Sequence, residues 1–154
     1  MTQADNPGVI VLPPLLYGAA FTVVLGLRWL WPMPILLHPA TLWVGLVVLC
    51  LGLGLGLWGA YAMHKASTNV LPSLPTTAIV TSGPFHLSRN PLYIGLALDF
   101  IGLSLIVNSL WGILALVVVL VVMHFGVILR EERYLAAKFG ERYRQYCSAV
   151  RRYF

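Results

Sequence analysis

The chain has 154 residues, of which 59% are hydrophobic and only 10% are charged. A soluble domain of this length cannot bury that much apolar surface, so the composition excludes a soluble protein and indicates an integral membrane protein. Seven of the ten basic residues lie at or after Arg130, so the formal net charge of +5 describes one basic tail. We expect this tail to contact lipid headgroups at a bilayer surface and not nucleic acid.

Four apolar stretches approach the 20 or so residues that a membrane span needs. They cover about residues 15–31, 36–63, 91–107 and 109–129. The first ends at Trp31-Pro32-Met33-Pro34, because two prolines so close together cannot continue a helix. The second carries Gly52 and Gly56, whose spacing lets two helices approach closely, and Asn108 marks a tight turn between the last two. The sequence therefore predicts an all-α protein with four transmembrane helices, forming a single domain over residues 1–154.

Residues 64–90 form the long polar connection between the second and third spans. A loop of this length is usually functional or disordered, and Thr77–Thr81 has the character of an extended segment. Asn90-Pro91 begins the third helix with proline at its first position. Arg89 and Asn90 then lie at a positive helix end, which attracts an anion or the polar part of a cofactor. The structural alternative is an ordinary capped helix with an arginine anchor at the interface.

After Arg130 the chain is predicted to leave the membrane as a helix over residues 130–147, which lies on the membrane surface or folds back on the loop. If the third and fourth spans form an antiparallel hairpin about Asn108, residues equidistant from that turn share a depth. Glu131 is then level with Phe85, and Glu131-Glu132 faces the start of the third helix. Two segments about forty residues apart converge, which indicates a site at this end of the hairpin.

The distribution of basic residues predicts the orientation. With four spans, the 64–90 loop and the tail share one side of the bilayer, and both carry lysine or arginine. The positive-inside rule makes that side cytoplasmic. We therefore expect both termini and the site to be cytoplasmic, in a membrane of the bacterial inner-membrane type.

At these motifs the sequence resembles the isoprenylcysteine carboxyl methyltransferase family of integral membrane methyltransferases. The related phospholipid N-methyltransferases share the Glu-Glu pair and much of the loop pattern. The resemblance covers roughly residues 64–154 and rests on Gly83-Pro84-Phe85, Arg89-Asn90-Pro91-Leu92-Tyr93-Ile94-Gly95, Glu131-Glu132 and Phe139-Gly140-Glu141-Arg142-Tyr143-Arg144-Gln145-Tyr146.

The resemblance implies an enzyme that uses S-adenosylmethionine without a Rossmann domain, with the cofactor at the cytosolic end of the last spans. By position it assigns cofactor binding to Thr77, Ala78, Ile79, Val80, Phe85, Asn90, Pro91, Leu92, Tyr93 and Glu131. Arg89 and Glu132 are the candidate catalytic residues. The chain departs from the carboxyl methyltransferases at Asn90, where they have histidine, and at Val127, where they have an arginine that contacts the substrate.

The chemistry of methyl transfer agrees with this cofactor. An in-line displacement needs alignment more than a strong acid or base. Glu131 can accept hydrogen bonds from the ribose diol or the ammonium group, aromatic side chains can flank the adenine or the sulfonium, and Arg89 can hold a carboxylate or phosphate. A carboxylate or thiolate acceptor is already ionised, whereas a lipid amine must lose a proton, for which His124 or Glu132 is the candidate base.

The acceptor stays open at this point: the carboxylate of an isoprenylcysteine-like molecule, a thiol or a lipid amine. Two other classes remain, an NADPH-dependent reductase of the sterol-reductase type and a non-catalytic membrane subunit. No cysteine and histidine set has metal-ligand spacing. Asp99 lies inside a span, where an acid is costly, and Thr22 at a similar depth is its expected hydrogen-bond partner.

Overall fold

The computed structural model describes residues 5–36 and 40–153, which are helical with no strand among them. The expected all-α class is confirmed for this part of the chain. A 3₁₀ turn, Gly83–His86, precedes the third helix, and a π-helical turn, His124–Ile128, follows the fourth. The α-helices are α1 (Pro13–Leu30), α2 (Ala40–Lys65), α3 (Pro91–Ile106), α4 (Leu110–Met123), α5 (Leu129–Phe139) and α6 (Glu141–Ala149).

Three helical segments of the described chain are long and apolar enough to cross a membrane. They are α1, α2 and the continuous helix Leu110–Phe139, in which the π-helical turn joins α4 to α5. Helix α3 is also apolar, but its 16 residues span only about 24 Å. Length and composition thus identify three candidate spans, and the predicted fourth stays a prediction.

The predicted ends of the first two spans lie close to the observed ones. Helix α1 ends at Leu30, directly before the Trp31–Pro34 break. Helix α2 begins at Ala40 and not at residue 36, because Leu36 is not helical; residues 37–39 of the predicted span lie outside the described residues. Its other end, Lys65, lies two residues beyond the predicted one.

Helices α2 and α3 pack backbone to backbone through glycines. Gly52 confirms the predicted close approach, whereas a Cβ atom at Gly56 would meet open space. A Cβ atom at Gly52 would lie 2.8 Å from the Gly95 carbonyl oxygen and would collide with the Asp99 carboxylate. A Cβ atom at Gly102 would lie 2.8 Å from the Gly45 carbonyl oxygen. Because lipid tails are as apolar as the helices, such close van der Waals packing is what holds spans together.

The turn between α3 and α4 confirms the prediction at Asn108. Its backbone is left-handed, with φ of 47°. Its side chain accepts hydrogen bonds from the amides of Ile35 and Leu36, at 2.9 and 3.2 Å, and donates one to the Leu36 carbonyl at 2.7 Å. The turn brings the start of α3 and the end of the Leu110–Phe139 helix to the same end of the molecule.

The C-terminal part differs from the predicted single helix over 130–147. The helix of α4 continues through the charged residues to Phe139, and the chain then reverses at Gly140, whose φ of 55° suits glycine. A new helix, α6, begins at Glu141 and folds back toward the 64–90 loop. A positive-φ glycine of this kind ends helices commonly, so Gly140 is the physical reason for the break.

The expected pairing of Asp99 with Thr22 is wrong. The Thr22 hydroxyl donates to the Gly18 carbonyl of its own helix, at 3.0 Å. The Asp99 carboxylate packs against Gly52 of α2, and its Oδ1 is buried without a hydrogen-bond partner among the described residues. The apolar core between α1, α3 and α4 consists of Tyr17, Val24, Phe100, Leu116, Val119, Met123 and Val127.

Candidate functional site

A cleft lies where the 64–90 loop, the start of α3, α5 and α6 meet. It holds about 750 Å³ of space when its open mouth is counted. Eleven of the twelve predicted site residues line it: Ala78, Ile79, Val80, Phe85, Arg89, Asn90, Pro91, Leu92, Tyr93, Glu131 and Glu132. The fold therefore brings together residues that lie up to 54 positions apart in the sequence.

Thr77 is the exception among the predicted cofactor-binding residues. Its amide donates to the Thr68 hydroxyl at 3.0 Å, and its own hydroxyl donates to the Ser67 carbonyl at 2.7 Å. These two bonds join Thr77 to residues 67 and 68 of the same loop, and the neighbouring Thr76, not Thr77, lines the cleft. Thr77 thus holds the position of the extended segment 78–80 and does not face the cleft.

Tyr93 and Glu131 form the central contact of the cleft. Tyr93 lies in the first turn of α3 and Glu131 in the first turn of α5. The Tyr93 hydroxyl donates a hydrogen bond of 2.7 Å to Glu131 Oε2. The convergence inferred from the hairpin is confirmed here. Within the described chain, Oε1 of Glu131 has no hydrogen-bond partner, so this oxygen can accept one from a ligand.

Glu132 is held by two arginines. Arg152 Nε and Nη2 donate to its two oxygens at 2.9 and 2.7 Å, and Arg89 Nη1 lies 3.3 Å from Oε1. The hydrogen bond to Glu132 raises the pKa of the Arg152 guanidinium above its usual range. A carboxylate in a bidentate pair of this kind is a strong acceptor and a poor proton abstractor. The geometry gives Glu132 an organising role and disfavours its predicted role as a general base.

Arg89 has one N–H donor that makes no hydrogen bond within the described residues. Its Nη1 also contacts the Cys147 sulfur at 2.6 Å, but Nε is buried without a partner among the described residues. The Arg89 side chain lines the cleft and is only 13% exposed. Because a buried donor without a partner is costly, an anionic group in the cleft would satisfy it.

The last residues of the chain fasten this region. The Arg152 carbonyl accepts hydrogen bonds from the Ser88 hydroxyl at 3.1 Å and from the Asn90 side-chain amide at 3.0 Å. The Arg151 carbonyl accepts one from the Arg89 amide at 3.0 Å. Asn90 makes no side-chain cap on α3, so its amide serves the tail and not the helix end. Residues 150–153 therefore form a clasp, which we call the C-terminal clasp.

Tyr143 and Tyr146 of α6 are cleft residues that were not among the predicted site residues. They are only 5% and 9% exposed, and both line the cleft. The Tyr146 hydroxyl donates to the Phe85 carbonyl at 2.6 Å. Burial raises the pKa of Tyr146 to about 12, so this phenol is neutral at physiological pH. The aromatic spacing of the tail was the signal for these residues, and the reversal at Gly140 turns it toward the cleft.

His124, the other candidate base, lies outside the cleft. Its Nδ1 is 2.8 Å from the Tyr153 hydroxyl. Together with Tyr93 these residues line an apolar groove between α3 and α4. Tyr93 is thus the wall shared by the groove and the cleft.

Comparison with known proteins agrees with the motifs. The family model of phospholipid methyltransferases matches residues 40–142, which include every predicted site residue. The chain is 33% identical over 133 residues to the cobalt-zinc-cadmium resistance protein CzcN of Cupriavidus metallidurans. That alignment covers 85% of this chain and 52% of the relative, so the chain spans about half the relative's length. No solved structure matches the chain significantly. The chain therefore belongs to the phospholipid methyltransferase family, the group of membrane methyltransferases whose motifs it carries.

Proposed function

We propose that this protein is an S-adenosylmethionine-dependent methyltransferase that acts in the membrane on a lipophilic or small acceptor. The observation that carries the proposal is the convergence of Tyr93, Glu131 and Arg89 on one cleft in a member of this family. The alternatives, an NADPH-dependent reductase and a non-catalytic subunit, have no comparable support.

The cleft offers a possible partner for each chemical group of the cofactor. Glu131 Oε1 is an open acceptor for the ribose diol or the ammonium group, and Arg89 Nε is an open donor for the carboxylate. Phe85, Tyr143 and Tyr146 supply aromatic surface for the adenine or the sulfonium. The backbone of residues 78–80, which is not in a helix or strand, can bond the adenine edge.

When bound, S-adenosylmethionine supplies a methyl group on a positively charged sulfur. The protein then has to align this group with the acceptor and exclude water. Tyr93 fixes the orientation of Glu131 through its hydrogen bond, and the pairing with Glu132 fixes the guanidinium of Arg89. Helix α6 and the C-terminal clasp cover the loop side of the cleft, which limits the entry of water.

The topology belongs to the same proposal. Helix α3 packs along α2 through glycines and contacts α4, so we propose that it is the fourth span despite its length. A helix of about 24 Å can cross a bilayer that thins locally around it. The positive-inside rule then places the cleft, the loop and both termini on the cytoplasmic side of a membrane of the bacterial inner-membrane type.

Titration with S-adenosylhomocysteine tests the proposal. We expect saturable calorimetric binding to the detergent-solubilised protein, weakened at least tenfold by Glu131→Gln because a hydrogen bond to a charged group contributes about 1.5–3 kcal/mol. The matched control is Glu141→Gln, since Glu141 is 70% exposed and, within residues 5–36 and 40–153, forms an ion pair with Arg144 alone. NADPH serves as the parallel ligand. Binding of NADPH in place of S-adenosylhomocysteine would favour the reductase, and binding of neither by folded protein would favour the non-catalytic subunit.

A further inference from the structure

An apolar groove runs along the membrane side of the cleft. It holds about 1,270 Å³ of space, counting its open side, and runs roughly 12 Å along α3. Two of its α4 residues, Val117 and Val121, are more than half exposed on the outer surface of the helices. Its walls include Ile94, Ala97 and Ile101 of α3 and Val117, Leu120 and Val121 of α4. A hydrocarbon chain in the bilayer can therefore enter it from the side.

The groove ends in a polar pair. His124 begins the π-helical turn, and its Nδ1 lies 2.8 Å from the Tyr153 hydroxyl. π-Helical turns within α-helices often occur at functional sites, because the extra residue redirects the side chains around it. In the part of the chain that the structure describes, Nε2 of His124 has no hydrogen-bond partner. This nitrogen is available to the polar head of a molecule whose chain fills the groove.

The polar pair lies beside the cofactor cleft. Tyr93 lines both the groove and the cleft, and its hydroxyl is bonded to Glu131. The groove and the cleft therefore meet at the Tyr93 side chain, and a head group held near His124 lies beside the cleft. For methyl transfer the acceptor atom must reach past Tyr93, because the reacting atoms must approach within about 3–3.5 Å.

No residue that lines the groove carries a formal charge at neutral pH, histidine being counted as neutral. Arg152 and Glu132 interact electrostatically with Tyr153 but are paired with each other, so a carboxylate, phosphate or ammonium head would find no free counter-charge among the groove's lining residues. Burying an unpaired charge in apolar surroundings is far more costly than burying a neutral polar group that is hydrogen-bonded. Val127, where the carboxyl methyltransferases have an arginine, is fully buried in the apolar core. The groove thus selects against charged heads.

We propose that the groove binds an apolar acceptor whose head is an uncharged hydroxyl or thiol, and that His124 is the base for it. The proposal rests on the proposed methyltransferase function. The proton of the O–H or S–H group passes to His124 Nε2 while the new bond from oxygen or sulfur to the methyl carbon forms. The bond from that carbon to the sulfonium sulfur breaks, and S-adenosylhomocysteine leaves neutral. Tyr153 holds the imidazole by accepting the hydrogen bond from protonated Nδ1.

Binding to the complex with S-adenosylhomocysteine tests the selectivity without turnover. In lipid nanodiscs, we would titrate four ligands of one chain length that carry a hydroxyl, thiol, carboxylate or ammonium head. We expect the hydroxyl and thiol ligands to bind at least tenfold more tightly than the charged ones. Val121→Phe should weaken that binding about tenfold by filling the groove, whereas Val118→Phe, which replaces a neighbouring residue outside the groove, should leave it unchanged.

Kinetics test the base. We expect His124→Gln to lower kcat for the thiol or hydroxyl acceptor about 100-fold while KM and S-adenosylhomocysteine affinity stay the same. Equal binding of charged heads, no effect of Val121→Phe, or an unchanged kcat in His124→Gln would each overturn the inference. If the unmodified protein did not bind S-adenosylhomocysteine, the proposed function itself would be refuted, so the two failures are distinguishable.

Discussion

The C-terminal clasp makes one prediction that can be worked from the contacts. In Arg152→Ala, Glu132 loses two charge-assisted hydrogen bonds of 2.9 and 2.7 Å. Each such bond contributes about 1.5–3 kcal/mol when it is well buried. The Arg152 side chain is 35% exposed, so we halve this value and expect about 1.5–3 kcal/mol for the two bonds together. Because 1.4 kcal/mol is tenfold, the closed state of the clasp should become about 10- to 150-fold less favoured.

Two assays read this change in the detergent-solubilised protein. Calorimetry should show S-adenosylhomocysteine affinity falling at least tenfold in Arg152→Ala, because Arg89 and the α6 wall lose their fixed positions. Hydrogen exchange should accelerate over residues 141–153, while α2 and α3 stay protected. The matched control is Arg144→Ala, since Arg144 is 70% exposed and its pair with Glu141 has a distance of 3.6 Å. Wild-type affinity and unchanged exchange in Arg152→Ala would refute the role given to the clasp.

Three further predictions concern packing, the cleft wall and pH. Gly52→Ala should lower the unfolding temperature by several degrees, because overpacking costs about 1–3 kcal/mol. Gly54→Ala is the control, since a Cβ atom there meets open space and should leave the unfolding temperature unchanged. Equal effects of the two substitutions would argue against the glycine contact. Tyr146→Phe should weaken S-adenosylhomocysteine binding severalfold in the same titration, because it removes the hydroxyl bond to the 3₁₀ turn, and unchanged affinity would contradict this. The hydrogen bond from Lys138 lowers the pKa of Asp5, so the Asp5–Lys138 contact is complete above about pH 4 and is lost as the pH falls further. Hydrogen exchange at residues 5–8 should become faster below that pH. Asp5→Asn should remove this pH dependence.

Most of the helical architecture could be predicted because strong local signals determine it. The prolines after Trp31 and the turn at Asn108 act through fixed φ angles and local hydrogen bonds, so they can be recognised in sequence. The end of the last long helix could not be placed, because Arg130–Arg133 indicates a membrane exit and not a helix end. The reversal depends instead on a single left-handed glycine, Gly140.

The core of the cleft could be predicted from the hairpin, although its register differs. Equal distance from Asn108 places Glu131 level with Phe85, yet it bonds Tyr93, eight residues further along. Side chains on a helix lean toward its N-terminus. On antiparallel helices, the Tyr93 side chain therefore leans toward the loop and that of Glu131 leans back along its own helix, so the two lean toward each other and the offset becomes smaller.

The contacts of the C-terminal clasp could not be predicted from the sequence. Arg152 lies beyond the last helix, in a segment with no periodicity. Its contacts with Glu132, Ser88 and Asn90 join parts of the chain 20 to 64 residues apart. Only the reversal at Gly140 brings them together, so no local pattern signals them.

The central claim is that this protein transfers a methyl group, and the transfer of label tests it most directly. Purified protein in nanodiscs made from extracted bacterial lipid would be incubated with S-adenosylmethionine that is radiolabelled at its methyl group. We predict label in the organic phase that depends on the protein, falls strongly in Glu131→Gln and is unaffected by Glu141→Gln. Folded protein that binds S-adenosylhomocysteine but labels no lipid, alcohol or thiol would contradict the account.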